Sequence, residues 1–349
     1  MKKLFFISVS ALLSAVLFTA PVSAQRNEPF TTHNFGALVM SSINVVETSM
    51  INGSITLSGI DGSEAIVEMY VSGNNPSSRQ WSDEQIRQEL EASYTIEVKL
   101  EGEKLLIEAR PKGNNREQRL NVSFVVKAPK RVTGNLQTTN GSIAVSNLSG
   151  AQNIRSTNGS LNIEDVSGKI SGRTTNGSIN LSNSSNETEI TSTNGNISAK
   201  DCKGKITMRT TNGGVRLSDI SGVVSATSTN GSITARYING ELTMQTSNGS
   251  VNLYDVSGNV DARTTNSSVT ATINAVSEFV KLSTSRGNVN LTLPAGAGYD
   301  LNVRANNIST TGLRGFSGNT QEKRMEGTVD GGGAKIEVNT AQRANLTFR

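Results

Sequence analysis

The sequence predicts an all-β fold: a single-chain parallel β-solenoid (β-helix) built of 18-residue coils, with an N-terminal β-rich cap containing one short helix. Three observations predict it. Asn-Gly recurs at Asn140, Asn158, Asn176, Asn194, Asn212, Asn230 and Asn248, Asn266-Ser267 continues the series, and every step is 18 residues. A second glycine marker follows at Gly150, Gly168, Gly204, Gly222, Gly240 and Gly258. Between the markers, apolar residues align in columns two apart, such as Ile143, Leu161, Ile179, Ile197, Val215, Ile233, Val251 and Val269. Alternation with period two reads as strand, and glycine-bearing dipeptides read as turns.

An unbroken period favours stacking. When coils lie on one another at the ~4.8 Å strand spacing, like residues form ladders, and any change of coil length would shift every column. Asn-Gly between short strands also signals hairpins, and a closed antiparallel meander is the competing architecture. A membrane barrel needs ~10-residue strands with aromatic girdles. The repeat region has shorter strands and almost no aromatic residues, in a chain that is 4% aromatic overall.

Taken in order, the chain divides into four parts. Residues 1–24 read as a signal peptide: Lys2 and Lys3 precede an apolar run from Leu4 to Phe18, and Val22-Ser23-Ala24 offers a small-x-small cleavage site. No cysteine stands directly after that run, which argues against an acylated N-terminus, and no later stretch supplies the ~20 apolar residues of a spanning helix. The expected localisation is therefore exported: periplasmic, cell-surface or extracellular, with no membrane span in the mature chain. Residues 25–133 read as the cap. They contain an early repeat-like unit at Asn52-Gly53-Ser54-Ile55-Thr56-Leu57, and Ser82 to Gln85 reads as a capping box before a helix over Gln85 to Ala92. Alternating segments follow at Tyr94–Leu100, Lys104–Ala109 and Leu120–Lys127, with a polar loop from Pro111 to Glu117. Residues 134–275 form the regular coils. Residues 276–349 read as looser coils with strands at Val289–Leu293, Leu301–Val303 and Lys335–Val338, because Arg286-Gly287 comes 20 residues after Asn266.

The units Thr-Thr-Asn-Gly-Ser-Ile (Thr174 to Ile179) and Asp-Val-Ser-Gly-Lys-Ile (Asp165 to Ile170) resemble those of a bacterial β-strand-repeat family, a domain of unknown function carrying the label "putative adhesin". The resemblance runs from about Asn34 to the C-terminus. It implies the solenoid fold and an adhesive or surface-binding role, and it brings no catalytic residues with it.

Composition narrows the chemistry. One His (His33), one Cys (Cys202) and one Trp leave no material for a disulfide framework, a Cys/His zinc site or a conventional His relay. A single thiol suits an oxidising compartment. The formal charge of +4 includes Lys2 and Lys3, so the mature chain keeps about +2, too little for a general nucleic-acid binder. Gly331-Gly332-Gly333 reads as a turn, since no Lys-Ser/Thr pair follows to make a phosphate loop.

Three columns could carry function. Asp165, Asn183, Asp201, Asp219 and Asp255 share one position, where stacked carboxylates could chelate calcium. Tyr237 and Asn183 interrupt them, and the preferred reading is an Asx residue bonding its own turn, with no metal and no cofactor expected. Arg155, Arg173, Arg209 and Arg263 share another position and form the candidate site for an anionic ligand. The Asn-Gly column is assigned to turn geometry, with Asn accepting a positive φ and Gly the tight corner. The function expected is an exported, non-enzymatic adhesin, binding or scaffold protein whose partner is a surface or extracellular polysaccharide or protein. The alternative is a polysaccharide-active β-helix lyase or hydrolase. Hydrolysis requires two carboxyl groups ~5–9.5 Å apart across one bond, in a cleft that coils of constant length do not provide.

Overall fold

The computed structural model describes residues 33–113 and 119–349, with side chains from residue 37 onward. The expected signal peptide, residues 1–24, and part of the Pro111–Glu117 loop lie outside the described residues. The fold is all-β with one α-helix and a short 3-10 turn among the described residues, and its sheets are mostly parallel. Two compact units divide the chain, residues 1–177 and 178–349.

In the first unit, the early repeat-like segment is a coil in its own right. Strands Val45–Asn52 and Ile55–Ile60 pair in parallel with Thr133–Asn140 and Ile143–Leu148, so Asn52 stands beside Asn140 and Ile55 beside Ile143. The 88-residue interval between these partners holds the helix and further strands. Lys104–Pro111 and Leu120–Pro129 pair with the other edges of the same two strands, and they in turn carry antiparallel partners, Tyr94–Glu101 and Glu64–Gly73. His33–Ser41 adds to Glu64–Gly73. The helix spans Asp83–Ser93. It starts at Asp83, two residues before the expected Gln85 and directly after the capping box, in which Ser82 Oγ accepts from the Gln85 amide while Gln85 Oε1 accepts from the Ser82 amide. Ile86 and Leu90, one turn apart, are its buried face. Beyond the cap, Gln152–Ser156 stacks on Thr133–Asn140, Ile170–Thr174 stacks on Gln152–Ser156, and Leu161–Val166 stacks on Ile143–Leu148.

The second unit repeats the pattern with longer strands. Ile197–Thr210, Val215–Ser228, Ile233–Thr246 and Val251–Thr264 run continuously through the Gly-marked bend, Val269–Thr284 follows them with Val276 in the glycine's place, and all pair in parallel, Ile197 beside Val215 beside Ile233 beside Val251. Each coil directs one apolar set inward: Ile233, Ala235, Ile238, Leu242 and Met244 are all buried. The C-terminal part departs from a simple run of looser coils. Ala334–Thr340 and Arg343–Phe348 pair with Val269–Thr284 and Val289–Leu293, while the earlier segments Tyr299–Arg304 and Asn307–Thr311 pair on their far sides. An antiparallel hairpin, Phe316–Gln321 with Arg324–Val329, flanks Tyr299–Arg304. The chain thus goes past its penultimate coil, turns back, and fills it last.

Two ladders fasten the coils to each other. Asn amides run from coil to coil: within the first unit Asn140 donates to Asn52, Asn158 to Asn140 and Asn176 to Asn158; within the second Asn212 donates to Asn194, Asn230 to Asn212, Asn248 to Asn230 and Asn266 to Asn248, at 2.6–2.7 Å. Each amide has one donor and one acceptor direction along the stack, so the ladder satisfies both. Arg286 ends it by donating to Asn266 Oδ1 at 3.0 Å. The second ladder is buried. Ser228 Oγ donates to the Gly213 carbonyl of the preceding coil and accepts from the Gly231 amide of its own, both at 2.9 Å. Thr174, Thr210, Thr246 and Thr284 make the same double contact. One hydroxyl thus satisfies two backbone groups that would otherwise be buried unpaired.

The left-handed turn does not fall on the Asn-Gly column. No Asn of the Asn-Gly column has a positive φ; the left-handed positions are Asn147, Asp165, Asn183, Asp201, Asp219, Tyr237 and Asp255, at φ 49–57°. Asn and Asp tolerate this region best after glycine, which accounts for the Asx column. The glycines of the Asn-Gly column serve close approach instead. Outside the left-handed region, Gly141, Gly159, Gly213, Gly231 and Gly249 each lie so near the carbonyl of the equivalent residue one coil back that a Cβ would overlap it.

Candidate functional site

Outward positions of the strands carry the candidate residues. In the first unit Gln137, Arg155 and Arg173 lie in register on three adjacent parallel strands, with Arg155 directly beside Arg173. Alternation explains the placement: Ile154, Ser156 and Thr174 on either side are buried, so the arginines point to solvent. Both are exposed, and neither has a carboxylate within ion-pair distance among the described residues. Like charges directly opposite on adjacent strands repel, and a bound anion bridging the two guanidinium groups would remove that cost.

In the second unit the column is broken and partnered. Arg209 lies between Thr191 and Thr227, and its guanidinium is 3.5 Å from Glu189. Arg263 lies beside Gln245 and Ser283, and donates from both Nε and Nη2 to Asp261 at 2.8 and 2.7 Å. Hydrogen bonding to Asp261, aided by its charge, holds the Arg263 pKa above the ordinary arginine value. The structure therefore brings Arg155 and Arg173 together as an open pair, while Arg209 and Arg263 stand three coils apart, each engaged with an acid. The Ser/Thr ladder beside the arginines is buried and offers no group to a ligand.

The Asp column does not assemble a chelating group. Its side chains turn to local partners: Asp201 to Lys200 at 3.5 Å, Asp219 to the Ser218 hydroxyl, and Asp255 to Asn274 at 3.5 Å. Its regularity follows from backbone conformation rather than from side-chain bonds to the turn. Among the described residues, no group of three or more His, Cys, Asp or Glu side chains could hold a metal ion. Cys202 fills a core position, where burial pushes its thiol pKa up. No described helix is long and apolar enough to cross a membrane.

The repeat also carries a feature that column reading passes over. Tyr237 and Tyr254 are the only aromatic residues between Gly134 and Ala275, and they fall on adjacent coils. Tyr237 takes the left-handed place that Asp or Asn holds in neighbouring coils, and its side chain is exposed. The signal was in the sequence as a break in two columns, Tyr237 for Asp and Tyr254 for a small or polar residue.

Mostly parallel pairing, inward apolar columns and side-chain ladders define the class, a stacked β-repeat protein. Residues 206–342 match the family model Toastrack DUF4097, a domain of unknown function. No curated protein matches the chain. Three of the solved structures that resemble it are as follows. One is described as a "putative cell adhesion protein" from Clostridium sporogenes, 9% identical, covering 91% of this chain and 100% of that one, with a TM-score of 0.18. A "putative adhesin" from Parabacteroides distasonis is 10% identical over 92% of this chain and 98% of that one, with a TM-score of 0.35. A "putative lipid binding protein" from the same organism is 12% identical over 74% and 96%, with a TM-score of 0.33. At these scores the likenesses carry no functional argument.

Proposed function

We propose that the chain is an exported, non-catalytic β-solenoid of 18-residue coils that binds an anionic extracellular or surface polysaccharide. In this reading residues 1–24 are the signal peptide, 25–133 the cap, 134–275 the regular coils and 276–349 the terminal coils. The observation that carries it is the Arg155/Arg173 pair, two exposed guanidinium groups in register without an acidic partner among the described residues. Guanidinium matches carboxylate or phosphate in a planar, bidentate fashion, and a polymer offers many such groups at once. Arg209 and Arg263 belong to the same column but would first have to leave Glu189 and Asp261.

The test compares two double variants of the full chain for binding to polygalacturonate at low and moderate salt. Arg155→Gln with Arg173→Gln should weaken binding several-fold and flatten its salt dependence, while Arg209→Gln with Arg263→Gln should change it little. Equal effects from both pairs, or none from the first, would remove the assignment.

A further inference from the structure

We propose a second site, of different chemistry, in the second unit: an aromatic platform at Tyr237, with Arg236, Tyr254, Asp219 and Asp255 around it, that binds a hexopyranose ring of a neutral polysaccharide.

Among the described residues, every other non-glycine residue with a positive φ is Ser, Asn or Asp, whereas Tyr237 holds φ 54° with a bulky side chain. A residue of this size in the left-handed region is disfavoured by its own sterics, and such outliers persist where something else requires them. Packing does not require this one, because Tyr237 is 58% exposed. The conformation instead aims an aromatic ring outward at the corner of the coil.

The surroundings form a compact set. In register, Ser218, Arg236 and Tyr254 are neighbours on three adjacent strands. The Arg236 guanidinium lies over the Tyr254 ring, 4.5 Å from its centroid, and Arg236 directly precedes Tyr237 in the chain. Asp219 and Asp255 occupy the corner positions of the coils before and after Tyr237. A pyranose presents an apolar C–H face that stacks on an aromatic ring, and a rim of hydroxyls that accept from guanidinium and donate to carboxylates. The two carboxylates on either side oppose a polyanion, so the ligand chemistry favoured here is neutral. That separates this site from the Arg155/Arg173 face, and neither reading depends on the other.

The experiment uses the full chain in native affinity gels containing hydroxyethylcellulose, laminarin or galactomannan. Retardation by at least one of these is expected. Tyr237→Asn restores the residue type of the column, so it should fold and melt no lower than the unsubstituted chain, yet bind about tenfold more weakly through loss of the stacking ring. Tyr254→Ser, on a regular strand position, provides a second variant with the same expected loss. The assignment is overturned if no neutral polymer retards the chain, if both variants bind as tightly as the original, or if polygalacturonate binds through Tyr237.

Discussion

Replacing Gly231 by alanine separates two explanations of the Asn-Gly column. If glycine is there to make a turn, alanine should be harmless or better, since Gly231 lies outside the left-handed region and Gly→Ala then stabilises by ~0.4–1 kcal/mol. The structure predicts the opposite. An alanine Cβ would overlap the Gly213 carbonyl oxygen and lie 2.6 Å from the Gly214 nitrogen. Both are backbone, so no rotamer change relieves the clash. Restoring ordinary contact at ~3.5 Å from the carbonyl oxygen means parting the coils by roughly 1.5 Å at this corner. Three hydrogen bonds cross there: Ser228 Oγ to Gly213 O at 2.9 Å, Asn230 Nδ2 to Asn212 Oδ1 at 2.7 Å, and Asn230 N to Thr211 O at 2.9 Å. At ~1 kcal/mol each, their loss destabilises the protein by about 3 kcal/mol. Denaturant unfolding of the full chain followed by far-UV circular dichroism measures this as a lowered midpoint. Gly102→Ala is the control, because Gly102 has φ +64° with open space around it and should cost only the ~1–2 kcal/mol of left-handed strain. A Gly231→Ala protein as stable as the original, or more so, would refute the close-approach argument.

Two further outcomes follow from the stacking and the core. Deleting residues 194–211 removes one period and should leave a cooperatively melting protein, whereas deleting residues 194–202 exchanges inward and outward positions and should abolish folding; equivalent melts would contradict the register. Cys202, buried with its pKa raised first by desolvation, should resist thiol-directed labelling at pH 8 until denaturant is added, and prompt labelling of the native protein would contradict its placement. The sign for stability follows: folding disfavours the thiolate, so stability falls as pH rises through the ordinary thiol range near ~8.5.

The helix Asp83–Ser93 was legible because its signal is local, a Ser82–Gln85 reciprocal cap followed by apolar residues one turn apart. The inward columns were legible for a related reason: an apolar residue recurring at one interval, on every second position, can be buried only if that interval is the pairing interval, and Ile197, Val215, Ile233 and Val251 do pair. Other features depended on neighbours that no local pattern names. Asn-Gly suggests a positive φ when read as a dipeptide, but in the stack the Asn amide is committed to the coil before it and the left-handed turn moves to Asp201, Asp219 and their equivalents. The four arginines look alike as a column; whether each is open or held by Glu189 or Asp261 depends on which acid stands within reach. The sequence by itself determined the class of structure and its inward and outward positions, because period and hydrophobicity are properties of the chain alone. Only the tertiary structure decided that the chain's last strands fill the penultimate coil, that glycine serves contact rather than turning, and that Tyr237 presents its ring at a corner, since each is a relation between residues far apart in sequence.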